Sequence, residues 1–209
     1  MTTAPTTPDP SPEPSPEPVE QVVLLDEAGR AVGTHDKATV HHADTPLHLA
    51  FSCYLFDDAG RVLVTRRALH KRTFPGIWTN ACCGHPAPGE QLEPAVHRRV
   101  RSELGCEVEG LRLLLPAFRY RAEQDGVVEN EMCPVLVARI APDDEVRLDP
   151  DEVAESVWVP WEEFRRDVLD GTRSVSAWCR QQVEQLPEEP WTAPAASTDG
   201  LPPALRPAA

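Results

Sequence analysis

Residues 84–105 read GHPAPGEQLEPAVHRRVRSELG, and the prediction of the fold starts from this stretch. Its first half belongs to a segment, residues 74–90, that is punctuated by glycine and proline. Long segments of this kind are typical of loops that carry function. In the second half apolar residues recur every four positions, Pro94 suits a first helical turn and Gly105 suits a helix end. The stretch therefore predicts a functional loop that leads directly into an amphipathic helix.

The sequence on either side of this stretch predicts mostly strands. Residues 21–34 and 47–68 each read as two strand-like runs separated by a turn that contains glycine. Residues 111–140 read as two strand-like runs around a DG turn. Residues 156–171 are typical of a strand that continues into a helix, and residues 174–186 are typical of a last helix. Strands with two or three helices packed on them indicate an α+β fold, an α/β/α sandwich.

Proline is concentrated at the two ends of the chain. Of the 23 prolines in 209 residues, seven lie in residues 1–18 and six in residues 187–207. Such a composition favours polyproline-like or disordered chain, because it offers little apolar surface to bury. We therefore predict a disordered Pro-rich tail over residues 1–19, one folded domain over residues 20–186 and a second Pro-rich tail over residues 187–209.

The charge balance argues against a nucleic-acid partner. The chain has 34 acidic and 20 basic residues, a formal net charge of -14, and an acidic surface repels a phosphate backbone. No apolar run reaches the length that spans a bilayer, and the start of the sequence does not resemble a signal peptide. The expected setting is the cytoplasm, where the six cysteines are thiols, and we expect a monomer that does not engage membranes.

The spacing within residues 84–105 resembles the Nudix box, G-x5-E-x7-R-E-U-x-E-E-x-G-U, in which U is apolar. Arg99 and Ser102 stand where Nudix hydrolases carry glutamates, the carboxylates that gather divalent cations and activate water. The resemblance therefore implies a Nudix-like fold that holds a diphosphate without hydrolysing it. An alternative for Arg99 and Glu103 is an exposed ion pair at i, i+4. The positions that match the box are Gly84, Glu90, Arg98, Val100, Glu103 and Gly105.

A second group of residues has the chemistry of a metal site. Glu129 and Glu131 lie two apart in a strand-like run, so they are expected to point the same way and to repel each other. A divalent cation relieves such repulsion, and histidines can supply nitrogen ligands to it. The alternative for any single histidine is an ordinary hydrogen-bonded surface residue. The candidate ligands are His41, His48, His85, Glu129 and Glu131.

Several segments together resemble the type I isopentenyl-diphosphate isomerases, a family with the Nudix fold. They read HHADTPLHLAFS, VTRRALHKRTFPGIWTNACCGHP, RRVRSELG, FRYRA and VVENEMCPV, in the family's order within residues 21–180. The resemblance implies a Nudix-like mixed sheet with flanking helices. It also implies an isomerase that interconverts isopentenyl and dimethylallyl diphosphate through a carbocation-like intermediate. Both departures from the Nudix box fit a family that does not hydrolyse its substrate.

The same resemblance implies roles around the hydrocarbon part of the substrate. Cys83 matches the catalytic thiol, and Glu131 matches the opposing acid or base, assisted by Tyr120. Trp178 matches a tryptophan that faces the cation, a desolvated contact that contributes ~2 kcal/mol. In the forward direction we expect Glu131 with Tyr120 to protonate the alkene and Cys83 to remove the second proton. The neighbouring Cys82 is expected to be structural.

Binding roles are implied in the same way. The ion held by the His/Glu set would be Mn2+, Zn2+ or Mg2+, and His41 is chosen over His42 because of its spacing from His48. Glu103 would hold a Mg2+ that bridges to the substrate diphosphate. The expected partner is a small-molecule isoprenoid diphosphate. The diphosphate contacts implied by the family are Lys37, Arg67, Lys71 and Arg99.

Two other functions remain open from the sequence. A Nudix hydrolase of a nucleoside diphosphate derivative shares the fold and the Mg2+ requirement, but it has no need of the His/Glu set. A non-catalytic Nudix-like module would use its Pro-rich tails to bind partners that read polyproline. That module would leave the thiol, the tyrosine and the metal set without a purpose.

Overall fold

The computed structural model describes residues 19–206, so the predicted N-terminal tail up to residue 18 lies outside the described residues. None of the helices in this range combines the length and the apolarity needed to cross a membrane. The strands are β1 Gln21–Leu25, β2 Ala31–Asp36, β3 His48–Leu49, β4 Phe51–Phe56, β5 Arg61–Arg67, β6 Trp78–Thr79, β7 Cys82–Gly84, β8 Val108–Leu115, β9 Arg119–Gln124, β10 Val127–Met132, β11 Val135–Ile140 and β12 Val153–Pro160. The helices are α1 Leu92–Leu104, α2 Trp161–Leu169 and α3 Ala177–Gln185, with short 3-10 helices at Thr198–Gly200 and Pro203–Leu205.

The strands form two mixed sheets where the sequence predicted one. The first sheet has the order β2-β1-β3-β10-β9, and the second has the order β12-β5-β4-β11-β8, with β6 beside β5 and β7 beside β4. The pairs β3 with β10 and β4 with β11 are parallel. The chain changes sheet three times, at Ala50 between β3 and β4, at residues 116–118 between β8 and β9, and at Cys133–Pro134 between β10 and β11. Because each change takes three residues or fewer, the sequence reads through them as continuous strand.

Helices cover both faces of the second sheet, as the predicted α/β/α sandwich requires. Every residue of β4 is buried, which is typical of a central strand with both faces covered. Phe51 and Leu55 belong to the apolar cluster that includes the inner face of α1. Tyr54 and Phe56 alternate with them and belong to the cluster formed with α2 and α3. Successive side chains on β4 therefore point alternately toward α1 and toward α3.

The structure confirms the predicted helix and refines two of the predicted segments. Gly105 ends α1 with a φ of 60°, and a Cβ there would lie 2.7 Å from the Arg147 carbonyl oxygen, so glycine is required. Residues 74–90 are not wholly a loop, because they contain the short strands β6 and β7. The two strand-like runs within residues 111–140 are split into four strands at Pro116 and Pro134, whose nitrogens cannot donate to a ladder.

The C-terminal segment packs on the domain, in contrast to the unpacked tail expected from its prolines. The Trp191 ring lies 5.4 Å from the Phe56 ring, and Leu201 and Leu205 are buried in the cluster that contains α1. The Arg112 guanidinium donates hydrogen bonds to carbonyl groups of the segment. Three large apolar side chains, spaced between the prolines, are enough to fix this segment against the core. The folded unit therefore extends to residue 206 at least.

Candidate active site

A cavity of about 680 Å³ contains the predicted site residues. Twelve of the thirteen line it, and the exception, His48, lies directly behind the lining with no exposed surface. The lining includes Ala50, where the chain passes from one sheet to the other. Residues from both sheets and from α1 and α3 thus converge on one space. Such a convergence of polar groups in one large pocket is the usual form of an active site.

Strand β7 presents the two adjacent cysteines to opposite sides. It pairs with β4, with Cys83 opposite Ser52, so consecutive side chains alternate. Cys82 is 2% exposed, belongs to the cluster around α1, and its Sγ lies 3.5 Å from Glu103 Oε2. Cys83 lies on the opposite side, near the apolar residues that pack on α3. This placement agrees with Cys82 as a structural residue and Cys83 as the thiol available to a ligand.

The glycine between Cys83 and His85 is required by close packing. A Cβ at Gly84 would lie 2.8 Å from the Arg99 side chain and 3.0 Å from the Phe51 ring. Strand β7 can therefore lie against α1 only with glycine at this position.

The loop between β7 and α1 is held by the Glu90–Arg98 pair of the Nudix box. Arg98 donates to both carboxylate oxygens of Glu90, at 2.8 and 2.7 Å, and also donates to the His85 carbonyl at 3.1 Å. Glu90 Oε2 in turn accepts from the backbone N–H of Ala87 at 2.8 Å. These two residues of the box therefore fix the loop that carries His85, rather than contacting a ligand themselves.

Three histidines surround one oxygen of Glu131. Oε1 of Glu131 lies 3.2 Å from His85 Nε2, 3.3 Å from His48 Nε2 and 3.9 Å from His41 Nε2. The ligand atoms of these four residues all lie within 4.8 Å of one another. Strand pairing explains part of the arrangement, because Glu131 of β10 stands opposite His48 of β3. His41 joins the group, whereas His42 contacts Thr45 and Asp44 outside it.

The four residues fit a divalent cation. His48 Nδ1 lies 2.9 Å from the Pro46 carbonyl and must donate to it, so a neutral ring turns the lone pair of Nε2 toward Glu131. Within residues 19–206, Nε2 of His41 and of His48 is buried and has no partner with hydrogen-bond geometry, despite the carboxylate nearby. Burial lowers the pKa of His85 to about 4, which keeps that ring neutral. Lone pairs that converge beside a carboxylate are the donor set that Zn2+ or Mn2+ takes.

Addition of a divalent metal ion that binds the four-residue His/Glu group should raise the melting temperature of the protein. A ligand at 100 times its Kd stabilises the folded state by about 2.7 kcal/mol, which corresponds to about 5–10 °C for a domain of this size. Differential scanning calorimetry of the chelator-treated protein, with and without Mn2+ or Zn2+, measures the shift. His48→Ala should abolish the shift and His42→Ala should keep it. An equal shift in both variants would mean that the metal binds elsewhere.

The tyrosine hydroxyl bridges the two glutamates of β10. Tyr120 of β9 stands opposite Glu131, and its oxygen lies 2.8 Å from Oε2 of both Glu129 and Glu131. One hydroxyl has one hydrogen, so two such bonds require a second proton, carried by one of the carboxyl groups. Burial, followed by the Glu131 charge, raises the pKa of Glu129. The proton therefore resides on Glu129, which lies beside the four-residue metal group.

The predicted diphosphate contacts already have partners. Lys37 donates to Glu20 at 2.6 Å, and Lys71 donates to Glu152. Arg99 donates to Glu103 and also lies 3.4 Å from Glu152. The fourth base, Arg67, donates to the Thr73 carbonyl and hydroxyl at 3.0 and 2.8 Å.

The alternative of an exposed Arg99–Glu103 pair is wrong. Both side chains are less than a tenth exposed. A buried pair of this kind is sensitive to loss of either partner, because the remaining charge is then unpaired in a dry environment. The sequence missed Glu20 and Glu152, which line the cavity with these residues, because no local pattern links them to bases far along the chain.

Trp178 is part of the cavity wall. Its ring is 1% exposed and lies 5.1 Å from the Phe74 ring and 5.4 Å from the Tyr120 ring. Ser176 starts α3 by accepting the backbone N–H of Cys179, which fixes the helix turn that carries Trp178. The tryptophan is thus a buried residue of α3 that lines the cavity.

Known proteins match both the fold and the site-bearing segments. The NUDIX domain family matches residues 46–179. An isopentenyl-diphosphate Delta-isomerase of Mycolicibacterium vanbaalenii is 63% identical over 168 residues, 80% of this chain and 91% of that protein. One of Saccharopolyspora erythraea is 55% identical over 188 residues, 88% of this chain and 96% of that protein. The solved structure of DR0079 from Deinococcus radiodurans has a TM-score of 0.60 at 19% identity and covers 79% of this chain and 98% of its own, which shows a shared fold. The predicted Nudix-like fold and family are confirmed, and the chain belongs to the isopentenyl-diphosphate Delta-isomerase family of the Nudix superfamily.

Proposed function

We propose that this protein is an enzyme that interconverts isopentenyl diphosphate and dimethylallyl diphosphate for isoprenoid biosynthesis. The observation that supports it best is that Cys83 and Glu131 line one cavity together with Tyr120 and Trp178. An alkene is a very weak base, so moving its double bond needs an acid, an opposing base and a stabilised positive charge. These four side chains supply all three.

In the forward direction Glu131 gives a proton to the terminal CH2 carbon, and the π electrons form the new C–H bond. Positive charge then develops at the tertiary carbon. Cys83, as a thiolate, removes a proton from C2, and the electrons of that C–H bond form the new double bond. The turnover leaves Glu131 ionised and Cys83 as a thiol, so the protons balance. The reverse reaction uses the same two groups with their roles exchanged.

The protonation state at rest corresponds to the end of this forward pass. Burial raises the pKa of the Cys83 thiol to about 12, so the sulfur carries its proton. Glu129, Tyr120 and Glu131 form a line of short hydrogen bonds. A shift of both hydrogens along that line moves the proton of Glu129 onto Glu131. Glu129 and Tyr120 thus restore the acid for the next forward turnover. The cycle closes when Cys83 releases its proton to solvent, which regenerates the thiolate, and Glu129 takes up a proton from solvent.

The ring of Trp178 stabilises the cation, but it accounts for only part of the rate. A desolvated cation–π contact contributes ~2 kcal/mol, whereas enzymes commonly lower barriers by ~8–23 kcal/mol. Proton transfer between fixed groups must therefore supply most of the acceleration. His41, His48, His85 and Glu131 would hold a divalent ion, Mn2+ or Zn2+ or Mg2+, which would supply positive charge that orients Glu131 and tunes its acidity.

The charged end of the cavity suits a diphosphate that brings its own cation. This end of the cavity is lined by five bases and four acids. They are Lys37, Arg67, Lys71, Arg72 and Arg99, and Glu20, Asp36, Glu103 and Glu152. The single net positive charge is too small to neutralise a diphosphate. Glu103 would hold a Mg2+ that supplies the missing positive charge, and the bases would bind the remaining phosphate oxygens. The enzyme is proposed to work as a monomer in the cytoplasm.

Proton NMR tests the reaction directly. Isopentenyl diphosphate incubated with the protein and Mg2+ in D2O should give dimethylallyl diphosphate that carries deuterium in a methyl group. The control is a parallel incubation with nucleoside diphosphate derivatives, in which release of phosphate products is measured. Phosphate release without isomerisation would overturn the proposal in favour of a Nudix hydrolase.

A further inference from the structure

The Cys83 sulfur lies within a buried polar network that no step above uses. Ser52 Oγ lies 3.3 Å from Cys83 Sγ, and Asn80 Oδ1 lies 3.4 Å from the same sulfur. Ser52 and Asn80 have no exposed surface. Ser52 is a polar residue in the otherwise apolar strand β4, and its position opposite Cys83 follows from the pairing of β4 with β7. A buried serine there needs hydrogen-bond partners, because an unpaired hydroxyl is costly to bury.

Asn80 has only one possible orientation. Its amide nitrogen donates to the carbonyls of Cys53 and Cys82, at 3.1 and 3.0 Å, so the amide oxygen must face the sulfur. The oxygen can only accept, and the S–H of Cys83 therefore donates to it. Any hydrogen bond from Ser52 must then be donated to the sulfur rather than accepted from it.

Gln182 sets the direction of the Ser52 hydroxyl. Tyr54 donates to Gln182 Oε1 at 3.0 Å, and Gln182 Nε2 donates to Ser52 Oγ at 2.9 Å. The reversed amide would leave Tyr54 to donate to the Cys179 carbonyl at 3.4 Å, a longer bond. With Gln182 as the donor, the Ser52 hydrogen is free to be given away.

Two sulfurs compete for that hydrogen. Cys133 Sγ lies 3.4 Å from Ser52 Oγ, only slightly farther than Cys83 Sγ. Cys133 can donate its S–H to the second lone pair of Ser52, and this arrangement satisfies both groups. Cys83 has already given its hydrogen to Asn80, so its sulfur is the acceptor that remains.

We propose that Ser52 is a positioning residue for Cys83, and that Gln182, itself oriented by Tyr54, makes the Ser52 hydroxyl donate to the sulfur. The inference rests on the proposed isomerase function and extends it to three residues that do not line the cavity. The hydrogen bond holds the sulfur in the rotamer that faces the substrate and stabilises it when it carries negative charge. The charged end of the cavity is not part of this network, so the effect belongs to kcat and not to KM.

Ser52→Ala should lower kcat about 10- to 100-fold, the value expected for a hydrogen bond to a charged group, with KM within about twofold. The matched control is Ser102→Ala, an exposed position on α1, which should leave both constants unchanged. A kcat of Ser52→Ala within twofold of the wild type, or a rise in KM alone, would overturn the inference. Failure of the wild-type protein to isomerise would instead refute the proposed function.

Gln182→Met tests whether the glutamine acts through the serine. We expect a loss of kcat of about tenfold in the wild-type background and less than about twofold in the Ser52→Ala background, because the two residues form one chain. Losses that multiply in the double variant would show that Gln182 acts independently and would reject the proposed route. Gln185→Met, exposed on α3, is the matched control. If Ser52→Ala does not fold, the kcat and KM of Gln182→Met alone decide the question.

Discussion

Replacement of Cys83 by alanine lowers kcat for isomerisation by about 10²–10⁴-fold, the usual contribution of a positioned acid or base, and changes KM little. In the proposed mechanism the methyl group of alanine can neither accept nor donate the proton at C2, while the proposed diphosphate contacts at the other end of the cavity are unchanged. Steady-state kinetics with isopentenyl diphosphate, followed by NMR, measures both constants.

The adjacent cysteine gives the matched control. Cys82→Ala should keep kcat within a few-fold, because its side chain faces the cluster around α1. It should reduce the free energy of unfolding by about 1 kcal/mol, since a buried sulfur is lost without replacement. Loss of activity in Cys82→Ala together with near-normal activity in Cys83→Ala would reverse the assignment of the catalytic thiol.

Glu131→Gln should lower both the isomerase activity and the affinity for the metal ion. Glutamine keeps the shape of the side chain but cannot release a proton, so we expect kcat to fall by about 10²–10⁴-fold. It also removes the negative charge to which three histidines converge. Metal affinity should therefore fall by more than about 10–100-fold, the loss typical of removing a residue that only supports a ligand. Calorimetric titration with Mn2+ or Zn2+ measures the second effect.

Glu123→Gln is the matched control for this variant, because Glu123 is exposed on β9. Its activity and metal affinity should equal those of the wild type. If Glu131→Gln loses the metal but keeps kcat, the carboxylate serves only the ion, and the acid must be sought elsewhere. Retention of both properties would remove Glu131 from the site.

Elements with a local signal could be predicted from the sequence. The helix α1 can be predicted from its apolar periodicity. It ends at Gly105, whose left-handed backbone conformation favours glycine. The β4–β5 hairpin follows from two apolar runs around DDAG. The convergence of His41, His48, His85 and Glu131 could be expected only through the family resemblance, because four separate segments supply them.

Features that depend on distant partners could not be predicted. Nothing near Glu20 or Glu152 in the sequence shows that they neutralise bases from other segments, since the pairing is made by the tertiary fold. The second sheet escaped prediction because Ala50 alone separates β3 from β4 and gives no turn signal. Ser52 and Gln182 did give a sequence signal. Ser52 is a polar residue on a buried strand, and Gln182 is a polar residue one helical turn after Trp178. This signal does not show that the two side chains contact each other.

The packed C-terminal segment matters to anyone who shortens or fuses this enzyme. A gene fragment cut to the recognised family boundaries, residues 46–179, would lack Leu201 and Leu205 and would also lack Lys37 and His41. Such a fragment would expose the apolar surface beside α1 that Leu201 and Leu205 cover, and it would tend to form inclusion bodies on overexpression. Reporter proteins or purification handles are best joined beyond residue 206, so that Leu201 and Leu205 keep this surface covered.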